Sequence, residues 1–217
     1  MTLPYSRFQS AVEAIDQANA GDPRTVEIDG TNRPFEIVYA GRMTTRLAAM
    51  YPDASELLRL AARAQHLRRF DIPRGQYPLG RAGYNDWRHA CREHHAALVG
   101  KILADNNYTP DEIARVTLLI RKEQLKKDPE SQALENVVGV VFVEHYFDDF
   151  LAKHASYDDE KLVGILGKTL RKMSAIGHAA ALGLNLPETS RRLILAAVER
   201  EAEALAGPAK SKSSAID

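Results

Sequence analysis

Glycine and proline gather at four places in this 217-residue chain, and between them apolar residues recur at helical spacing. The four places are Gly21–Pro23, Asp71–Gly83, the surroundings of Pro110 and Pro129, and Gly207–Pro208. No stretch keeps a two-residue alternation of β-branched residues between hairpin turns, so the expectation is that there is no sheet. Helix starts are well marked. Asp53-Ala-Ser-Glu56 resembles a capping box, and Thr109-Pro110-Asp111-Glu112 sets a cap, a proline in the first turn and an acid three residues on. The spacing predicts helices over about 5–19, 35–50, 54–69, 84–106, 110–126, 130–153, 159–183 and 188–206. The expectation is therefore a single all-α domain over 1–206, a bundle of about eight helices, with a disordered tail over 207–217.

Charge and cysteine content narrow the function classes. Lys+Arg and Asp+Glu are both 29, so no bulk attraction to nucleic acid or an anionic membrane is expected. A single cysteine, Cys91, excludes an intrachain disulfide and a multi-cysteine zinc site. It shares a helical face with Trp87 and reads as a packed thiol. The start MTLPYSRFQS lacks a signal-peptide pattern, and the longest apolar run, Val137–Val143, is too short to span a bilayer. A cytoplasmic, membrane-free protein is expected.

Helical wheels single out the unusual polar residues. The helix over 130–153 is apolar nearly all round, as a central helix is, yet Glu135 sits among its inner positions. A buried carboxylate costs several kcal/mol unless paired, so Glu135 calls for a cation or a metal; an exposed acid favoured by the helix dipole is the alternative. Glu123 falls on the inner stripe of Ile113, Val116 and Ile120, or is an exposed acid at the helix end. On the helix over 84–106, His94 shares the inner face with Trp87, Cys91 and Leu98 and reads as a core histidine. His95 sits on the flank beside Arg88, able to reach into a cleft. His66 lies opposite the apolar face of its helix.

Cations crowd the same region. The loop 71–83 holds Arg74, Tyr77 and Arg81 between prolines and glycines, and guanidinium suits bidentate recognition of phosphate or carboxylate. Long loops without secondary structure are uncommon in compact domains and often functional. Arg42, Gln65, Arg69 and Lys122 join Arg74 and Tyr77 as the expected anion-binding set. His66, His95, Glu123 and Glu135 are the catalytic candidates, the imidazoles titrating naturally near neutrality.

The segments EIVYAGRMT (36–44), PDASELLRLAARAQHLRRFDIPRGQYP (52–78), GYNDWR (83–88), LIRKEQLKKDPESQALEN (119–136) and KTLRKMSAIGH (168–178), together with His95, carry a resemblance to a family. It is a family of bacterial and fungal proteins designated only as a domain of unknown function, and it brings no activity with it. Asn136 departs from the aspartate expected after Glu135. More distantly, the order Arg42/Met43, Gln65-His66, His94-His95, Glu135 is similar to that of HD phosphohydrolases, all-α domains that hold a divalent metal. That resemblance implies an HD-like bundle. Guanidinium has no acceptor and a thioether is a weak one, so the first metal-binding His has no equivalent here. A divalent metal on His66, His95 and Glu135 alone is the form the resemblance leaves.

Three functions stand as expectations. The first is an HD-like protein that binds a small phosphorylated or anionic metabolite, as a degenerate or metal-dependent phosphohydrolase. The second is a non-catalytic module docking a protein partner on the basic loop 69–84. The third, disfavoured by zero net charge, is a tRNA or single-strand adaptor. Lys172-Met173-Ser174 and Ile176-Gly177-His178 look like fragments of aminoacyl-tRNA synthetase signatures, but they adjoin in one predicted helix and have no nucleotide-binding sheet around them.

Overall fold

The computed structural model describes residues 6–206, with side chains described to residue 202. The expected tail over 207–217 lies outside the described residues. The fold is predominantly helical. The helices are α1 (Arg7–Asn19), α2 (Phe35–Met50), α3 (Glu56–Arg63), α4 (Gly80–Asp105), α5 (Pro110–Arg121), α6 (Pro129–His145), α7 (Phe147–Lys153), α8 (Asp159–Leu170), α9 (Ala175–Leu182) and α10 (Glu188–Ala206). Two single 3-10 turns, Arg69–Asp71 and Arg74–Gln76, lie between α3 and α4.

A hairpin corrects the expectation of no sheet. Strands β1 (Thr25–Ile28) and β2 (Thr31–Pro34) pair antiparallel, Ile28 opposite Thr31. The two linking residues are Asp29 and Gly30, at φ of 50° and 73°. Asp-Gly with both φ positive is the turn whose twist suits a two-residue hairpin. Four-residue strands are too short to show a sustained alternation, which is why the pattern escaped the sequence reading.

The predicted starts near 35, 110, 130, 159 and 188 hold, but α3 is capped by Ser55 and begins at Glu56, α4 begins at Gly80 within the expected loop 71–83, and several predicted ends differ. Thr109 accepts from the Glu112 backbone N–H, while the Glu112 side chain reaches back to the Thr109 N–H. In contrast, α3 stops at Arg63, because the next residues turn tightly and Arg68 takes a left-handed conformation. Helix α5 ends where Lys122 does the same, at φ 61°, its N–H and that of Glu123 closing on Leu119 and Leu118 carbonyls. The helix expected over 130–153 breaks at Tyr146, and the one over 159–183 breaks at Lys172–Ser174. The bundle has more than the eight helices expected.

The chain gathers into two compact units, up to Val138 and from Gly139 onward. In the first, α3, α4 and α5 pack together with α1 and α2 against them. Leu47, Leu60, Leu67, Val99, Leu103, Val116, Leu119, Ile120 and Leu134 fill its interior, each at most 1% exposed. Burial of each such side chain stabilises by roughly 1.5–3 kcal/mol before entropy is counted. In the second unit α8 and α9 pack on α10 around Phe147, Leu166, Leu170, Leu193 and Ile194. Arg171 holds the nearly buried Glu201 carboxylate through two donors.

Candidate functional site

The first unit brings several chains of polar contacts onto one imidazole, that of His66. The first comes from the hairpin. Asp22 accepts from the Arg24 backbone and guanidinium and from the Glu36 backbone N–H, in the first turn of α2. An acceptor there meets N–H groups the helix leaves without partners. Arg24 Nη2 also donates to Glu36 Oε1 at 2.7 Å. Glu36 is thereby drawn inside, 1% exposed, and its Oε2 has no hydrogen-bond partner. Burial pushes its carboxyl pKa up, against the pull of Arg24.

One turn further along α2, the Tyr39 ring lies flat on His66, centroids 3.8 Å apart and planes within 10°. His66 Nδ1 stands 3.5 Å from Glu36 Oε2. Arg69 Nη1 sits 2.6 Å from Nε2 and, more loosely, 3.3 Å from Nδ1. Guanidinium only donates, so Nε2 accepts, the ring is neutral and the Nδ1–H faces Glu36. Burial, and then the charges of Arg69, Lys122, Arg88 and Arg24, hold the His66 pKa well below its ordinary value.

The turn that presents His66 and Arg69 is pinned on both flanks. Arg68 gives its backbone N–H to Asn19 Oδ1 at 2.8 Å and its guanidinium to Asp71. His95, from α4, donates Nδ1–H to the Leu67 carbonyl at 2.7 Å. Its ring centroid lies 6.0 Å from that of His66. Burial first, and then neighbouring His66, lower the His95 pKa to about 3.

Two arginines complete the group. Arg69 lies over the Trp87 ring at 4.6 Å, and Trp87 donates to the Ile72 carbonyl. Arg88 lies 5.8 Å from the Tyr84 ring centroid. Among the described residues neither guanidinium has a carboxylate within 4.0 Å. Both are half-buried. Lys122 Nζ meets Glu135 Oε2 at 2.5 Å, with side chains 10% and 7% exposed.

These positions sort the sequence-derived candidates. His66, His95, Arg69, Lys122 and Glu135 come together, and Glu135 has the cationic partner its burial demanded. Gln65 is buried, 3% exposed, with Oε1 lacking a partner. Arg42 lies six residues beyond Glu36 on α2, a step that turns it off the Glu36 face. Arg74 is held by its own loop, donating to the Tyr77 and Pro78 carbonyls. Tyr77 is half-buried there. Glu123 is exposed, and its backbone carbonyl accepts from the Ser131 hydroxyl.

Two expectations are corrected. His95, not His94, is the buried histidine: the inner stripe of α4 runs Cys91, His95, Val99, Leu103. His94 pairs instead with Asp71 at 3.1 Å, nearer the surface. Nor is His66 solvent-facing, since Tyr39, Arg69 and Glu36 enclose it. As to the metal trio His66, His95 and Glu135, no group of three or more His, Cys, Asp or Glu that could hold a metal ion occurs among the described residues.

Sequence reasoning missed Asp22, Arg24, Glu36 and Tyr39. The signal for them was the Asp29-Gly30 turn, which folds the hairpin back and sets Arg24 beside α2. Glu36 also opens the segment 36–44 that carried the family resemblance.

The chain belongs to the family described as Domain of unknown function (DUF4202), whose model matches residues 9–194. No curated protein and no solved structure matches it. No described helix is long and apolar enough to cross a membrane.

Proposed function

We propose that the first unit binds a small phosphorylated or otherwise anionic metabolite at Arg69 and Arg88, beside His66. The observation that carries this reading is the pair of half-buried arginines with no carboxylate partner. A cation partly removed from water without a counter-charge is costly, and an anionic ligand relieves that cost. Guanidinium forks also fit phosphate oxygens two at a time. Lys122, neutralised locally by Glu135, adds to the potential at His66. The left-handed turns at Arg68 and Lys122 agree with this placement, since backbone strain concentrates at ligand sites.

Binding without metal-dependent hydrolysis is the form we favour, because Glu135 Oε2 is engaged by Lys122 and His66 Nε2 by Arg69. Thermal-shift and calorimetric titration with inorganic phosphate and a panel of sugar and nucleoside phosphates test the reading. Wild type is expected to bind, and Arg69→Ala and Arg88→Ala to weaken binding at least tenfold each while remaining folded. No binding by wild type, or full binding by both variants, refutes it. Metal-dependent release of phosphate from any of these esters would restore the hydrolase reading.

A further inference from the structure

The charges facing His66 do not balance. From the hairpin base come Asp22 and Arg24, from α2 Glu36 and the Tyr39 ring, and from the turn after α3 Arg69. Helix α4 supplies Arg88, the neutral thiol Cys91 and the neutral His95, and the end of α5 supplies Lys122, with Glu135 of α6 behind it. Four cations thus stand against three carboxylates when all are ionised. The excess is a single positive charge.

His66 is placed to change that count. Its Nε2 accepts from Arg69, and its Nδ1–H faces Glu36 Oε2 across 3.5 Å. That oxygen is sealed and receives no other hydrogen bond. A ligand oxygen taken up by Arg69 would draw the guanidinium off Nε2. The imidazole lone pair would then face an anion, an unfavourable contact unless a proton comes with it. Once protonated, the ring donates at both nitrogens, from Nε2 to the ligand and from Nδ1 to Glu36, while the Tyr39 stack keeps its plane.

We infer that the site takes a dianion of phosphate-monoester type, and that His66 takes up one proton as the ligand binds. The inference deepens the anion-binding reading and rests on it. His66 acts here as a binding residue whose charge follows the ligand, and Glu36 as the positioning acid behind it. A singly charged ligand would leave the proton uptake without its driving charge. Carboxylate monoanions should therefore bind at least tenfold more weakly than phosphate esters.

Sulfate is the probe that separates the cases, because it is a dianion with no titration of its own near neutrality. Calorimetry in buffers of different ionisation enthalpy, at constant ionic strength, counts the protons exchanged. Wild type is expected to take up close to one proton per sulfate, and its Kd to rise about tenfold per pH unit between about pH 6 and 8. In His66→Gln sulfate should still bind, with no proton uptake and a Kd flat with pH. In Glu36→Gln the uptake should fall, since the acid that supports the imidazolium is gone; that arm and the wild-type count decide the matter should the His66 variant misfold. Sulfate bound by wild type with no proton exchanged overturns this inference and leaves the anion site standing. No binding of sulfate or phosphate up to about 50 mM overturns both.

Discussion

Lys122 Nζ lies 2.5 Å from Glu135 Oε2, with neither side chain more than 10% exposed. The pair joins the end of α5 to the core helix α6, and it brings a cation within range of His66. Removing one member leaves the other charge buried and alone, which typically costs about 3–5 kcal/mol. Glu135→Ala is expected to lose stability on that scale in urea unfolding. The double variant Lys122→Met, Glu135→Leu should recover much of it, because well-packed apolar pairs replace buried ion pairs at little cost. Equal losses in the single and double variants would refute this account.

Acid should unfold the first unit through its histidines. Both His66 and His95 have folded pKa values depressed below the unfolded value near 6.5, His95 to about 3. The unfolded chain therefore binds more protons below that point. The stability they contribute is complete above about pH 6.5 and is lost as pH falls toward the folded values, by up to about 1.4 kcal/mol per pH unit for each ring. Urea midpoints measured from pH 7 down to pH 4 should fall steadily, and less steeply in His95→Asn. An unchanged slope in that variant would remove His95 from the explanation.

Gly83 lies in the first turn of α4, packed against the loop that precedes the helix. A Cβ built there would stand 2.1 Å from the Pro78 carbonyl oxygen, a backbone atom that cannot swing aside. Gly83→Ala is expected to cost about 1–3 kcal/mol and to raise amide exchange across residues 71–84. Unchanged exchange there would mean the loop is anchored elsewhere, for instance by Trp87 on the Ile72 carbonyl.

The cap at Thr109 supplies a control. It satisfies the Glu112 N–H well away from His66, and Glu112 itself is drawn to a pKa of about 2 by Arg7 and the Thr109 groups. Thr109→Ala should lower stability by about 1 kcal/mol and leave anion affinity as in wild type. A parallel loss of affinity would show that the site reports global stability, not local chemistry.

Particular residues show what could be read from the sequence. Glu135 was legible, because a carboxylate among Leu134, Val137 and Val138 demands a partner whatever the tertiary detail. The helical class was legible from spacing and caps. The exchange of His94 for His95 was not. A wheel anchored on Trp87 is off by one residue, since Trp87 turns toward the loop to cover Arg69 and bond Ile72. Glu36 was hidden for a different reason. An acid in a first helical turn reads as solvent-exposed and dipole-favoured, and only the hairpin laid over it makes it internal. The ends of α3 and α5 were illegible because Arg68 and Lys122 are ordinary helix formers, and tertiary contacts hold them left-handed.

Those left-handed corners have a consequence for how the site can change. Arg68 and Lys122, followed by Gln124 and Lys126, all sit at φ between 50° and 70° without being glycine. The frame around His66 is therefore drawn by the main chain, and branched residues at 68 or 122 would shift every group at once. At Arg24, Arg69 and Arg88, by contrast, a side chain can be exchanged while the trace stays put.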